Sequence, residues 1–112
     1  MPIELTTETF APTVAHATCL VVWYAPSCAP WRAFARVFSD ASHRHPRALF
    51  AQIDAEREHA LAARCGIDRL PTLMAFRRGA LAFVRAGFQV ADSLDLVVSA
   101  LLAGRPGKLI HN

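Results

Sequence analysis

Lysine is almost missing from this chain: Lys108 stands alone, and eleven of the twelve basic residues are arginine. Those arginines (32, 36, 44, 47, 57, 64, 69, 77, 78, 85, 105) are scattered, and with a net charge of only +3 they form no stripe that would track a phosphate backbone. A nucleic-acid partner is therefore not expected. Cysteine is sparse and odd in number: Cys19, Cys28 and Cys65. Met1-Pro2-Ile3-Glu4 has neither the charged start nor the apolar centre of a secretory signal. Three cysteines without a leader read as free thiols in a reducing compartment, the cytoplasm, and not as a disulfide framework. The longest apolar stretch, Cys19 to Pro26, is far too short to cross a bilayer, so no membrane partner is expected. The five glycines are spread singly, which excludes a phosphate-cradling loop. No Cys/His pair has ligand spacing, so neither a metal nor a cofactor is expected.

What remains is apolar. Of 112 residues 54% are hydrophobic and 19% charged, which rules out disorder and leaves room for one core. Repeats, linkers and low-complexity tracts do not occur. The expectation is a single domain over 1–112, with its core from about 3 to 103 and a loose tail from 105 to 112.

The elements alternate. Ile3-Glu4-Leu5 is a short strand. Thr6, Thr7 and Thr9 could each cap a helix; Pro12 suits only a first helical turn, which favours Thr9 as the cap of a helix running to about Ala17. Thr18–Ala25 is β-branched and aromatic without polar alternation, the pattern of a strand covered on both faces. From Cys28 to His45 the apolar residues Trp31, Phe34, Ala35, Phe38 and Ala41 recur at helical spacing, and Pro46 stops the helix. Ala48–Asp54 is a strand. Glu58–Cys65 is a short helix ended by Gly66. Thr72–Arg77 and Leu81–Ala86 form a hairpin about Arg78-Gly79. Asp92 caps a last helix with the stripe Leu94, Val97, Val98 and Leu101. The order β-α-β-α-β-α-β-β-α predicts an α/β fold, a mixed central sheet with helices on both faces.

In such sheets reactive groups collect past the carboxyl end of a central strand, where the next helix begins. Here that corner is Ser27-Cys28-Ala29-Pro30-Trp31. Unpaired helix amides and the macrodipole favour a negative sulfur at Cys28, and Arg32, one turn on, adds a positive charge. A nearby indole opposes both by excluding water. Most lone cysteines are small buried hydrophobes; the corner position is what marks Cys28 out. His16, His43, His45, His59 and His111 have no such setting.

The segment Trp23-Tyr24-Ala25-Pro26-Ser27-Cys28-Ala29-Pro30-Trp31 resembles the strand, Trp-Cys-Gly-Pro-Cys motif and helix of the thioredoxin family. Gln52-Ile53-Asp54 looks like that family's strand ending in aspartate. Gly66-Ile67-Asp68-Arg69-Leu70-Pro71-Thr72-Leu73 looks like its Gly-Ile/Val-x-x-Ile-Pro-Thr-Leu segment. Phe76-Arg77-Arg78-Gly79 and Gly87 fall at its glycine spacings. The resemblance covers about residues 3 to 103 and implies a thioredoxin fold. It also implies a cis peptide before Pro71, facing Cys28, with the backbone of Leu70 offered to an extended substrate segment. Ala29, Pro30, Leu70, Pro71, Ala86 and Gly87 would wall that groove.

The departures matter more. Trp31 occupies the position of the family's second cysteine, the thiol that resolves a mixed disulfide. The family's buried aspartate aligns with Val22 and its nearby lysine with Phe50. Both charges assist proton transfer at the second thiol. Arg36 replaces the proline that bends the helix, Ser27 the tryptophan before the cysteine, and Cys65 a tyrosine. Cys19 and Cys65 are expected to be structural, out of reach of Cys28. Trp31 is expected mainly to fill the volume opened by Val22. The resemblance thus implies a thiol redox protein with one active cysteine, at most a monothiol disulfide oxidoreductase. Cys28 would form mixed disulfides with glutathione or protein thiols. The alternatives are a groove kept as a peptide-binding adaptor or folding helper, with Cys28 incidental, and a subunit whose groove is covered by a protein partner.

Overall fold

The computed structural model describes residues 1–87 and 94–104. Within them run β1 (Ile3–Leu5), α1 (Thr7–Ala15), β2 (Thr18–Tyr24), α2 (Ala29–Arg44), β3 (Leu49–Asp54), α3 (His59–Arg64), β4 (Thr72–Arg77), β5 (Ala80–Ala86) and α4 (Leu94–Leu102). This is the expected order. The strands form one sheet, β1-β3-β2-β4-β5. β1 and β2 lie parallel to β3, while β4 is antiparallel to both β2 and β5.

The uniformly apolar β2 is central because each of its faces has a helix layer to cover it. Successive side chains of a strand point to opposite faces. Leu20, Val22 and Tyr24 pack with Trp31, Phe34, Phe38 and Ala41 of α2 and Leu94, Val98 and Leu101 of α4. Cys19, Val21 and Trp23 pack on the other side with Val14 of α1 and Leu61 and Ala62 of α3. Each large apolar side chain fully removed from water contributes roughly 1.5–3 kcal/mol. The double-sided strand is therefore the most strongly held part of the fold. Its carboxyl end, Tyr24, is consequently a rigid base for the loop that follows.

The first helix departs from the sequence reading. Its cap is Thr6, not Thr9, and it ends at Ala15. The Thr6 amide donates to Thr9 Oγ1 at 2.8 Å, so Thr9 works from inside the first turn. The Thr7 amide and hydroxyl both donate to Glu58 Oε1, at 2.9 and 2.7 Å, a tie supplied by the far side of the chain. Pro12 lies inside the helix on an exposed position, where it removes one backbone donor and crowds the carbonyl of Glu8. The C-terminal end of α1 is fastened to the β4–β5 turn: the Gly79 amide donates to Val14 O and the Arg78 amide to Ala17 O.

The other boundaries fall within a residue or two of the reading. Cys28 and His45 cap α2, Glu58 and Cys65 cap α3, and Gly66 stops α3 with φ +70°. Asp92, expected to cap α4, and the tail 105–112 lie outside the described residues.

Candidate functional site

The site grows from the end of β2. Pro26 and Ser27 turn the chain outward, and the Cys28 amide donates back to Ala25 O at 3.0 Å. That fixes Cys28 as the N-cap of α2, with extended backbone angles and its carbonyl accepting from the Arg32 amide at 3.2 Å. Pro30 sits in the first turn, where a missing N–H leaves no bond unmade. Ala29, Pro30 and Arg32 are exposed; Cys28 is half-buried. The Cys28 thiol donates to Leu70 O at 3.6 Å.

Leu70 precedes Pro71 through a cis peptide bond. The Thr72 hydroxyl donates to Arg69 O and closes the loop over it. Thr72 opens β4 opposite Ala86, the last residue of β5, and Gly87 follows with φ +69°. The fold therefore brings together Cys28, Leu70 and Pro71, with Ala86 and Gly87 one strand further along. Sequence reasoning singled out each of these residues.

Two features were not foreseen. The guanidinium of Arg69 reaches across to Gly87, so that a Cβ there would lie 2.9 Å from Arg69 Nη2. Nothing in the sequence marks this, since Gly87 reads as a break in the chain and a wall of the groove, with no sign of Arg69 over it. The second is a ring pair: Trp31 stacks on Tyr24 with centroids 4.6 Å apart and planes 28° apart. Trp31 is 7% exposed and belongs to the same packed cluster as Val22 and Phe50. Tyr24 in turn donates to Glu4 Oε2 at 2.7 Å, and Gln52 Nε2 donates to Glu4 Oε1 at 2.9 Å. Burial, then the hydrogen bond to Glu4 and its charge, push the tyrosine's ionisation upward, so the hydroxyl stays a donor. Phe50 packs on Phe38 at 5.1 Å, where the resemblance aligns a lysine.

All three thiols are free. Cys19 is fully buried, and burial pushes its ionisation up to about 12. Burial also raises that of Cys65, with Arg64 opposing. Both pack in the cluster on the α1/α3 side of the sheet, whereas Cys28 packs against the α2/α4 side. The buried Asp54 carboxylate is occupied by its own turn, accepting from the Glu56 and Arg57 amides. Among the described residues no group of histidine, cysteine and acid could hold a metal ion, and no helix is long and apolar enough to cross a membrane.

A half-buried thiol at the start of α2, aimed at the carbonyl before a cis-proline on a mixed five-stranded sheet, defines a thioredoxin-fold protein. The thioredoxin family model matches residues 1–100, and the chain belongs to that family. It is 34% identical over 86 residues to a putative thioredoxin 2 of Streptomyces coelicolor, an overlap of 76% of this chain and 64% of the relative. The chain thus spans less than two thirds of that relative's length. Among solved structures, Plasmodium falciparum thioredoxin is similar at TM-score 0.80 and 16% identity, over 87% of this chain and 96% of its own. Chlamydomonas reinhardtii thioredoxin f2 is similar at TM-score 0.78 and 17% identity, over 95% and 98%. At such identities the likeness is one of fold.

Proposed function

We propose that the protein is a thiol redox protein that works with Cys28 alone. The Cys28 thiolate attacks one sulfur of a disulfide, from glutathione or a protein. A bond forms between Cys28 Sγ and that sulfur, the original S–S bond breaks, and the other half leaves as a thiolate that takes its proton from water. In a dithiol protein the next step is internal. Here the position that would supply the second sulfur carries Trp31, so the mixed disulfide persists until an external monothiol attacks it. That attack forms a new disulfide with the partner and returns Cys28 as thiolate. This cycle suits a reducing compartment, for which we propose the cytoplasm.

The observation that carries the reading is the pairing of opposites at the two ends of one motif. Cys28 caps the helix half-buried, 3.6 Å from the Leu70 carbonyl. Trp31, three residues on, is packed into the core against Tyr24. The test is single turnover with pre-reduced protein and a disulfide-bonded substrate in the absence of any monothiol. The expected product is a stoichiometric adduct on Cys28, absent from Cys28→Ser and released by added glutathione. Free substrate dithiol without monothiol refutes the one-cysteine cycle. If no disulfide adds to Cys28 at all, the groove serves as a peptide-docking module and the redox reading falls.

A further inference from the structure

The loop before β4 places a cation in the groove. Arg69 is exposed, and its guanidinium lies over Gly87: Nη2, Cζ and Nε are 2.9, 3.2 and 3.5 Å from where a Cβ of Gly87 would stand. Only a residue without a side chain leaves that place to the guanidinium. Arg69 thereby spans from the cis-proline loop to the end of β5. Its own carbonyl is held by the Thr72 hydroxyl, and its neighbour Leu70 accepts from the Cys28 thiol.

Among the described residues the Arg69 guanidinium has no carboxylate partner; the ion pairs there are those of Arg44 and His45 with Asp95. Asp68, its neighbour along the chain, is exposed and makes no ion pair with it among the described residues, and three other acids have partners of their own. Glu4 is held by Tyr24 and Gln52, Asp54 by the amides of its own turn, and Glu58 by Thr7. A second cation, Arg32, lies exposed one turn after Cys28. One exposed arginine thus follows the thiol by a turn and another precedes the residue that accepts its hydrogen bond. Arg69 directly precedes Leu70, whose carbonyl accepts from the Cys28 thiol, and an exposed charge is felt over a Debye length of roughly 8 Å.

Resting on the one-cysteine reading above, we propose that Arg69 is a specificity-determining residue that selects disulfides carrying carboxylates beside the sulfur. Glutathione disulfide and disulfides in acidic peptide segments belong to this class. The arginine pairs with a carboxylate of the incoming partner while the partner's backbone lies along Leu70. Gly87 gives the guanidinium the room to stand there.

Three small disulfides of one reactivity type and different charge provide the test: anionic glutathione disulfide, neutral hydroxyethyl disulfide and cationic cystamine. Second-order rates of adduct formation on Cys28 are followed by intact mass for wild type and Arg69→Gln. In the variant the rate with glutathione disulfide is expected to fall about two- to fivefold, the range of an exposed ion pair. The cystamine rate rises and the hydroxyethyl disulfide rate is unchanged. Raising salt should shrink the wild-type preference toward that of the variant, whose own salt dependence is weaker. An anionic-to-cationic rate ratio equal in the two proteins overturns the assignment of Arg69 alone. So does a parallel fall in all three rates, which would show a change at the thiol and not in selection. Failure of all three to add to the wild type refutes the exchange reading and this inference with it.

Discussion

Replacing Trp31 by cysteine tests the packing and the chemistry of the motif at once. The substitution sets a second thiol three residues after Cys28, a spacing that places both on one helix face. It also removes an indole that is 7% exposed and stacked on Tyr24 at 4.6 Å. Truncating a buried aromatic to alanine costs about 3–5 kcal/mol, of which roughly 0.5–1.5 kcal/mol is the ring pair itself. A cysteine keeps one heavy atom more than alanine, so the expected loss is about 3 kcal/mol. That is a large share of the roughly 5–15 kcal/mol that holds a domain folded, but it leaves the variant native in dilute buffer. Urea unfolding of the reduced variant measures it, with Trp31→Phe as a companion that keeps a ring against Tyr24 and should lose only about 1–2 kcal/mol.

The same variant should release free dithiol from a protein disulfide in a single turnover without monothiol, which the wild type is not expected to do. The release should be slow. Val22 is fully buried and apolar, and Phe50 packs on Phe38, so neither offers a proton to or accepts one from the new thiol. Stability within about 0.5 kcal/mol of wild type would show that the indole is not filling core volume. Accumulation of adduct with no dithiol released would show that position 31 is not where a resolving thiol works. Release as fast as an ordinary dithiol member of the family would show that the losses at 22 and 50 hardly matter.

Native protein treated with an alkylating reagent should be modified at Cys28 first and at Cys65 more slowly. Cys19, fully buried with ionisation pushed up to about 12, should react only after unfolding; peptide mapping that found Cys19 labelled in the native state would contradict the burial of β2. The Asp95 carboxyl is held below its ordinary value of 3.8 by hydrogen bonds from His45 and Arg44. A carboxyl lowered on folding contributes stability above that ordinary value and loses it as pH falls through the folded one. Since Asp95 is 55% and Arg44 51% exposed, Asp95→Asn should cost under about 1 kcal/mol at neutral pH, and the gap in urea midpoint should close in acid. A gap independent of pH would deny the carboxylate its role in joining α2 to α4. Gly87→Ala should cost about 1–2 kcal/mol, because φ is +69°, while the exposed Arg69 guanidinium over it can swing aside; unchanged thermal stability would refute the left-handed backbone there.

The elements that sequence reading placed best are those whose own residues carry the signal. Thr18–Tyr24 is apolar at every step after its first residue, and α2 repeats aromatic residues at helical spacing, so strand, helix and the corner between them follow from periodicity. The cysteine at that corner was legible from its position at a helix start, whereas the cis-proline loop and the end of β5 were legible only through the resemblance to thioredoxins. What was missed depends on contacts across the chain. α1 begins at Thr7 because Glu58, 51 residues away, takes its first donors. Pro12 is admitted inside because both helix ends are anchored elsewhere, at Glu58 and at Gly79. Arg69 over Gly87 and Trp31 on Tyr24 are meetings of side chains that no periodicity announces.

The replacements at 22, 31 and 50 make sense only together. Val22, Trp31 and Phe50 share one packed cluster. A carboxylate at 22 or an ammonium at 50 within it would be charged groups withdrawn from water, each costing several kcal/mol unless paired. The family's charges aligned there serve a second thiol, whose proton they help to move. Once that thiol is an indole, no proton remains to be moved and nothing offsets the desolvation, so apolar side chains are the lower-energy filling for the same volume. The capture side of the site experiences none of this. Cys28 touches that cluster only from its edge: it is half-buried, caps α2 and donates to Leu70 O in the loop at Pro71. One half of the motif is therefore core while the other keeps a half-buried thiol beside the cis-proline loop, and the proposed one-cysteine cycle rests on that separation.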